Sequence, residues 1–342
     1  MMCSRTARLA GTLLPAMLAA TAAIAGTPLP DLVRRDGFEL PADADIRPLS
    51  DEFHGAATLG DWRRIWREEY WNADQLEQYD IGATRPGWLT MVPHTSGWFE
   101  DYRGELAYKE VAGDFVATTR VQARNRAGTG APGSTSGGAP GTEFSLAGIL
   151  VRAPREDVAC CDPGWWQPGG ERYVFFSTGS ADQTGTHQFE AKTTRAAIPP
   201  ETHSVSLLEI APASGDEAEL RVARIETWVI LLVRESGEGW RVHRRYARDD
   251  LPQTMQVGMT CYTDWAVVST WPWLEHNQSV VTHAWQEPAT PADPDLLAQF
   301  DWFRFARPEV PPELVGLDLA DPLAVTDAQL LAFLGDTLDP PP

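Results

Sequence analysis

The chain has 342 residues, of which 43% are hydrophobic and 22% are charged. This usage is ordinary for a globular protein with a sizeable core, so disorder and a small disulfide scaffold are excluded. With 28 Lys plus Arg against 48 Asp plus Glu, the formal net charge is −20. Binding of nucleic acid or anionic lipid through the overall field of the molecule is therefore excluded. The 14 Trp are more than a core of this size needs.

The first 25 residues have the pattern of a secretory signal peptide. Arg5 and Arg8 precede an apolar stretch over 9–25, and the triplet 23–25 fits the small-x-small cleavage rule, with 20–22 as the second choice. An uncleaved anchor is the alternative, which the short length disfavours. No later segment approaches the ~20 apolar residues of a membrane helix. We therefore expect a secreted protein, periplasmic or extracellular after cleavage.

Three cysteines lie beyond that segment: Cys160, Cys161 and Cys261. Adjacent cysteines rarely bond to each other, so in an oxidising compartment we expect a disulfide between Cys261 and either Cys161 or Cys160. The third thiol is then free. A zinc site at the adjacent pair is disfavoured because the neighbouring residues supply too few ligands.

Beyond an extended lead-in over 26–48, the chain is a succession of strand-like segments. Runs of Val, Ile, Phe, Tyr and Thr bounded by turn residues lie at 115–122, 144–152, 173–178, 187–194, 219–225, 227–234, 240–246, 254–262 and 300–305. The clearest hairpin joins 227–234 to 240–246, and 127–141 is a surface loop rich in Gly, Ala, Pro, Ser and Thr. Only 65–76 has a helical apolar period. The predicted fold class is all-β, a two-sheet antiparallel jelly-roll sandwich over 49–308.

The last segment, 309–342, is predicted to be a Pro-rich linker followed by a short amphipathic helix. Thr326 and Gln329 match a capping box ahead of an apolar run, and Gly335 is the expected stop. This helix either docks on the sandwich or engages a partner at the cell envelope.

The usual motifs of catalysis are absent. There is no P-loop, no G-x-S-x-G elbow and no H-E-x-x-H. The seven His residues have no ligand spacing, so from sequence each is interpreted as a surface or core residue.

Several short motifs, in this order along the chain, are shared with a known superfamily. They are Asp51-Glu52-Phe53, Trp88-Leu89-Thr90, Gly113-Asp114-Phe115-Val116, Ala147-Gly148-Ile149-Leu150-Val151, Tyr173-Val174-Phe175-Phe176, Trp240-Arg241-Val242, Val257-Gly258-Met259 and Phe300-Asp301-Trp302-Phe303-Arg304-Phe305. Over about 49–308 the chain resembles the concanavalin A-like lectin/glucanase sandwiches. Within them it is most similar to uncharacterised bacterial secreted domains and to the C-terminal module of family-43 β-xylosidases. The resemblance implies a jelly roll that holds carbohydrate on a sheet face or in edge loops, in many members without catalysis.

Sugar sites pair exposed aromatic platforms with polar side chains that form bidentate hydrogen bonds. In the strands that contain Ile149 and Ala191, alternation places Arg152, Glu190 and Lys192 opposite the apolar set, as a polar floor on an open sheet face. The alternative is an exposed cross-strand salt-bridge ladder. The predicted carbohydrate-binding residues are Trp98, Tyr102, Arg103, Arg152, Trp165, Trp166, Glu190, Lys192 and Trp265.

The first functional hypothesis is a carbohydrate-binding protein without chemistry of its own. The second is a glycoside hydrolase on the same fold, with Glu190, Glu100 and Asp101 as the best carboxylates, although the E-x-D-x-E run of the glucanases is missing. The third is a structural or adhesion protein of the cell surface that docks through its C-terminal helix. The resemblance also implies a structural Ca²⁺, with Asp51, Glu52 and Asp301 as candidate ligands.

Overall fold

The runs of β-branched and aromatic residues form strands, most of them within two or three residues of the predicted bounds. In the part of the chain that the structure describes the strands are β1 (Arg63–Arg64), β2 (Leu76–Ile81), β3 (Leu89–Pro93), β4 (Glu105–Ala112), β5 (Phe115–Arg124), β6 (Ser145–Arg152), β7 (Tyr173–Ser180), β8 (Gln188–Arg195), β9 (Val205–Pro212), β10 (Glu217–Ile225), β11 (Trp228–Glu235), β12 (Arg241–Ala247), β13 (Thr254–Tyr262) and β14 (Leu297–Ala306). The sequence patterns did not predict β1 to β4 or β9 as strands.

The structure is a computed structural model that describes residues 41–133, 144–155, 158, 166–183, 185–287 and 290–338. The described residues belong to one unit, Glu39–Pro342. The predicted signal peptide and most of the predicted lead-in lie outside them, as do Cys160, Cys161 and Trp165. The predicted loop over 127–141 is described only as far as Gly133.

The strands form two antiparallel sheets of seven. The front sheet has the order β1-β4-β13-β6-β7-β8-β9, and the back sheet has the order β12-β11-β10-β5-β14-β3-β2. The predicted hairpin is β11 paired with β12, in which Trp228 lies opposite Ala247. The expected two-sheet antiparallel sandwich is therefore the observed fold, and its class is all-β.

The main core lies between the two sheets. One apolar face of every long strand contributes to it, as period-2 alternation requires. Its largest members include Phe115, Phe176, Phe189, Phe300 and Phe303, all fully buried. Full burial of such a side chain stabilises the fold by about 1.5–3 kcal/mol. The core therefore determines which face of each strand points away from the space between the sheets.

Helices are few and short. They are α1 (Ile65–Glu68), α2 (Trp265–Val268), α3 (Trp273–Gln278) and α4 (Asp327–Leu334), with 3₁₀ turns at Arg47–Leu49, Ala56–Asp61, Pro312–Leu314 and Asp336–Leu338. The helical period over 65–76 gives one turn only, because Leu76 already pairs with Pro93 in the back sheet. Among the described residues, none of the helices has the length and apolar character needed to cross a bilayer.

The C-terminal helix α4 begins and ends where the sequence predicts. The backbone N–H of Gln329 donates to Thr326 Oγ1, and Gln329 Oε1 accepts from the N–H of Thr326, which completes the capping box. Leu330 and Leu334 are fully buried in a second cluster on the outer side of the back sheet. Of the two alternatives for this helix, docking on the sandwich is therefore the one observed. The expectation of an envelope partner at this helix is not supported, because its apolar side already packs on the sandwich.

Candidate functional site

The front sheet has one face in the main core and a second face turned away from it. As predicted, Ile149 and Ala191 contribute to the core, so Arg152, Glu190 and Lys192 project from the second face. The prediction that this face is open is wrong: these three side chains have exposed fractions of 1%, 0% and 1%. Segments 94–104 and 263–278, here called the covering layer, pack over it.

Trp98 anchors the covering layer to the sheet. Its indole is fully buried, Nε1 donates to Thr260 Oγ1 at 2.9 Å, and its ring meets Tyr173 edge to face at 5.5 Å between centroids. Gly104 lies against the same ring, since a Cβ there would approach the indole to 3.0 Å. Trp98 is therefore a packing residue whose ring forms one wall of a cavity, and the predicted exposed platform at this position is wrong.

Beneath Trp98, Lys192 is held by three oxygen atoms. Its Nζ donates to the carbonyl of Trp98 at 2.6 Å and to the hydroxyl of Tyr262 at 2.8 Å, and it pairs with Glu190 Oε1 at 2.8 Å. The Tyr262 hydroxyl donates to Glu190 Oε1 at 3.1 Å. Burial lowers the pKa of Lys192, and burial together with the nearby Glu190 raises the pKa of Tyr262 well above its ordinary value. All three donors of the ammonium are used within the protein.

A cavity of about 160 Å³ opens above this cluster, and it is here called the aromatic pocket. Its walls combine the sheet face with the covering layer. They carry five aromatic rings, one leucine and one lysine: Trp98, Phe99, Phe144, Tyr262, Trp265, Leu208 and Lys192. The sequence analysis singled out Trp98, Lys192 and Trp265 from this set, and the structure brings those three together.

Trp265 is held at the pocket by contacts on both sides. Asp264 precedes it with φ of 71°, and its Oδ2 accepts from Thr95 Oγ1 and the N–H of Asp293, each at 2.8 Å. A Cβ at Gly97 would lie 3.0 Å from the indole, so only glycine allows this approach. The ring centroid lies 5.3 Å from that of Phe99 and 5.3 Å from that of Tyr102. Trp265 is half-buried and lines the cavity.

Polar groups stand beside the pocket on the Phe99 side. Asp101 is buried, its Oδ2 lies 2.9 Å from His203 Nδ1, and its Oδ1 accepts from Ser204 Oγ at 2.7 Å and the N–H of Gly169 at 2.9 Å. Glu100 is half-buried, and burial together with the charge of Asp101 raises its pKa. We call Glu100, Asp101 and His203 the polar rim.

Arg152 belongs to a buried ionic network. Its guanidinium donates to Glu69 Oε1 and to Glu171 Oε1, each at 2.6 Å, and to Gln256 Oε1 at 2.9 Å. These carboxylates raise the pKa of Arg152 further above its ordinary value despite complete burial. The network ties α1 and the segment before β7 to the sheet. Arg152 is thus a structural residue and not a ligand contact, and the exposed salt-bridge ladder of the sequence analysis is equally wrong.

Two further predicted residues lie inside the structure. Arg103 is fully buried, and its Nη2 donates to the carbonyls of Ala73 and Asn277. Trp166 has an exposed fraction of 2% and packs between Trp71 and Trp273, at 5.4 and 5.0 Å between ring centroids. The predicted roles of Arg103 and Trp166 as sugar contacts are therefore wrong. Tyr102 meets Trp265 edge to face and does not line the pocket, and Trp165 lies outside the described residues.

Of the three carboxylates considered for hydrolysis, Glu100 and Asp101 are neighbours in the chain, and Glu190 lies apart from Glu100. Glu190 lies four residues before Thr194 on β8, about 13 Å along the strand. The N–H of Glu100 donates to Ser206 Oγ, which bonds Thr194 Oγ1, so the Glu100 backbone is fixed at the far end of that interval. A pair of hydrolytic carboxyl groups lies ~5–9.5 Å apart, which this arrangement does not favour for Glu190 with Glu100.

The three candidate calcium ligands each have other partners. Asp51 accepts from the N–H of Phe53 and the indole N–H of Trp62, Glu52 forms a bidentate pair with Arg304, and Asp301 pairs with Arg120. No group of three or more His, Cys, Asp or Glu placed to hold a metal ion occurs among the described residues. The expected Ca²⁺ ligand set is therefore not assembled.

Cys261 is a free thiol in this structure. It is fully buried in the main core, where burial raises its pKa. The expected disulfide to Cys161 or Cys160 is thus not formed at Cys261, because β13 directs this side chain between the two sheets. Both proposed partners lie outside the described residues.

A second cavity, a groove of about 680 Å³, lies elsewhere on the outer side of the back sheet. Its wall is ionic, and its charged groups pair with one another, as Arg304 does with Glu52 and Arg47 with Asp45. Only Trp302 and Phe305 supply aromatic surface there. The aromatic pocket is the smaller cavity, and it alone gathers the predicted residues.

Known proteins offer little guidance beyond the fold. No model of a known protein family matches the sequence, and no curated protein matches it. Solved structures similar to this chain include a functionally unknown protein from Saccharomyces cerevisiae, at 13% identity and a TM-score of 0.43, over 73% of this chain and 98% of the other.

Two glycoside hydrolases are also similar. A family-43 protein from Bacillus licheniformis is 14% identical with a TM-score of 0.44. The similarity covers 75% of this chain but only 39% of that protein. A family-16 endo-glucanase from Bacteroides ovatus is 9% identical with a TM-score of 0.42, over 75% of this chain and 98% of the other.

The sequence analysis missed three site residues that matter. Tyr262 and Phe99 stand inside the aromatic clusters that it noted, so their signal was present. His203 carried no usable signal, because its partner Asp101 lies 102 residues earlier in the chain.

Proposed function

We propose that this protein is exported and binds carbohydrate in the aromatic pocket. The observation that carries the proposal is the pairing of Phe99 with the half-buried Trp265 at the mouth of a cavity whose walls are mainly aromatic. The C–H face of a sugar ring packs on such rings, and contacts of this kind contribute about 0.5–1.5 kcal/mol beyond the area that they bury. The signal sequence at the start of the chain is the support for export.

The position of the polar groups favours a ring that meets the floor of the pocket with its C–H face and not with its hydroxyl edge. At the floor, the donors of Lys192 are already used by Trp98, Glu190 and Tyr262. Hydroxyl groups pointed there would lose their hydrogen bonds to water without replacement. The polar rim, with Glu100 and the exposed His203, lies beside the mouth instead. The sugar therefore presents its apolar face to the pocket and its hydroxyls to the rim.

The volume limits what can enter. About 160 Å³ is below the roughly 300–1,000 Å³ of pockets that enclose drug-sized ligands. One sugar residue fits this space, and the rest of a chain must continue across the surface. We therefore propose a polysaccharide or oligosaccharide ligand bound through a single inserted residue.

The test is affinity electrophoresis of the purified mature protein in gels that contain xylan, xyloglucan, mixed-linkage β-glucan or arabinan. We expect retardation on at least one glycan and a loss of at least about tenfold in affinity for Trp265→Ala. Trp302→Ala is the matched control, a half-buried tryptophan on the back sheet. No retardation on any glycan, or equal loss in both variants, would overturn the proposal.

A further inference from the structure

The polar rim contains an imidazole with a fixed orientation. Asp101 is buried and accepts from His203 Nδ1, Ser204 Oγ, Ser204 N–H and Gly169 N–H. Such a carboxylate, with its acceptor sites filled, holds Nδ1 as the protonated nitrogen and leaves Nε2 as the nitrogen that can accept a proton. The His203 side chain is 51% exposed, in contrast to 1% for Asp101. Its outer part is therefore accessible to water and to a ligand.

Glu100 is held beside this pair in an unusual backbone conformation. Its φ is 51°, in the left-handed region that residues other than glycine rarely adopt. The N–H of Glu100 donates to Ser206 Oγ at 2.7 Å, which fixes the turn. The carboxyl group is half-buried, and the field of His203 acts on it. Backbone strain of this kind persists where the surrounding structure holds it, commonly at functional sites.

Both groups are close to wall residues of the aromatic pocket along the chain. Glu100 directly follows Phe99, a wall residue. Ser206 lies two residues before the wall residue Leu208 on the same face of β9, about 7 Å along the strand. His203 precedes that strand by two residues. A sugar residue in the pocket therefore places its outer linkage toward the polar rim.

We propose that His203, positioned by Asp101, and Glu100 act as the base and the acid that hydrolyse the glycosidic linkage of a carbohydrate bound in the aromatic pocket. The inference rests on the proposed binding function. His203 Nε2 takes a proton from a water molecule as the water oxygen bonds to the anomeric carbon. The bond between that carbon and the bridging oxygen breaks, and Glu100 gives its proton to this oxygen. The proton on His203 then returns to Glu100 through solvent, so one water is consumed for each linkage cleaved.

The reaction requires one protonated group as the acid and one unprotonated group as the base. Burial and the neighbouring charge of Asp101 raise the pKa of Glu100, which favours the protonated carboxyl needed in an acid. The contact of Nδ1 with Asp101 at 2.9 Å orients the His203 ring so that Nε2 faces away from Asp101.

The experiment measures retention and reducing ends released from xylan, xyloglucan, mixed-linkage β-glucan and arabinan, with the full mature chain. We expect release from the glycan that retards the protein. In His203→Gln and Glu100→Gln the rate of release should fall at least about 100-fold, far more than any loss of retention. His54→Gln, an exposed histidine outside the rim, is the control.

Two rescue measurements separate chemistry from folding. A 4-nitrophenyl glycoside of the retained sugar needs no proton on its leaving group, so it should restore activity to Glu100→Gln but not to His203→Gln. Azide should restore the release of 4-nitrophenol by His203→Gln, because it bonds to the anomeric carbon in place of water and forms a glycosyl azide. Retention without release by the unsubstituted protein would overturn this inference and leave the binding proposal intact. Release unchanged in His203→Gln would also overturn it, and the absence of both retention and release would overturn both proposals.

Discussion

Lys192 and Glu190, two residues apart on one strand, form a 2.8 Å ion pair that is completely buried under the aromatic pocket. Residues two apart on a strand project from the same face of the sheet. The proximity of Lys192 and Glu190 therefore follows from their spacing in the sequence. Its cover is supplied by distant segments of the chain. The carbonyl of Trp98 and the hydroxyl of Tyr262 complete the shell of the ammonium.

Removal of one partner of this pair should cost much more than removal of both. Lys192→Met leaves the Glu190 carboxylate buried without its cation, and we expect a loss of about 3–5 kcal/mol in the free energy of unfolding. The double variant Lys192→Met, Glu190→Leu should lose markedly less than either single variant. Urea denaturation of the four proteins measures this. Additive losses would show that the two charges do not depend on each other.

The free energy of unfolding should fall in mild acid because of His243. This imidazole lies 4.8 Å from the Phe176 ring, and burial first, then Arg241 and Arg244, lowers its pKa to about 4. Its pKa in the unfolded chain is about 6.5. The folded state therefore favours the neutral ring, a contribution that is complete above pH 6.5 and is lost as the pH falls from 6.5 to 4.

The substitution that checks this is His243→Phe. We expect the fall in the free energy of unfolding between pH 6.5 and 4 to shrink by on the order of 3 kcal/mol. His276, whose pKa burial also lowers to about 4, should preserve part of the pH dependence. The measurement is chemical denaturation at a series of pH values. An unchanged slope in His243→Phe would contradict the assignment.

Gly97→Ala should weaken glycan binding by displacing Trp265. The new Cβ would lie 3.0 Å from the indole and 3.2 Å from Val268 Cγ1, so the ring must shift. We expect affinity to fall about two- to tenfold, the range that aromatic contacts of this kind represent. Gly60→Ala is the control, because a Cβ there meets nothing within 4 Å. Equal retention of both variants on the glycan would contradict the role of Trp265.

The cap of α4 should hold the C-terminal segment on the back sheet. Thr326→Ala removes the side-chain acceptor of the capping box and should lower stability by about 1 kcal/mol. Leu330→Ala opens a cavity under the helix and should cost about 2–5 kcal/mol. Hydrogen exchange of the α4 amides should rise first in both variants. Exchange that is unchanged in α4 would show that the helix is held by other contacts.

Much of the sandwich could be predicted because alternation is a local property. Ile149 and Ala191 face the core in the structure as the period of two requires, and the hairpin of β11 and β12 follows from its turn. The strand β9 was missed. It is an edge strand, and exposed positions such as Val205 and Leu207 alternate along it with half-buried ones, so it lacks the regular contrast of an interior strand.

The site was harder to predict because burial depends on contacts across long separations. Nothing near Trp98 in the sequence indicates that Thr260, 162 residues later, accepts its indole N–H. Trp265, in contrast, remains half-buried, and its sequence neighbours do not indicate this either. The same reason hid the link of His203 to Asp101. Sequence reasoning could identify the aromatic and charged residues of this region, but not which of them the covering layer would seal.

The contact of Trp166 with Trp71 and Trp273 joins three separate parts of the chain through indole rings 5.0 and 5.4 Å apart. Closely packed aromatic rings in a fixed geometry produce near-ultraviolet circular dichroism, a signal that disappears when specific packing is lost. The three tryptophans should therefore give a near-ultraviolet signal that depends on packing at the edge of the covering layer. Loosening of this layer can be followed in that band while the far-ultraviolet signal of the two sheets stays constant.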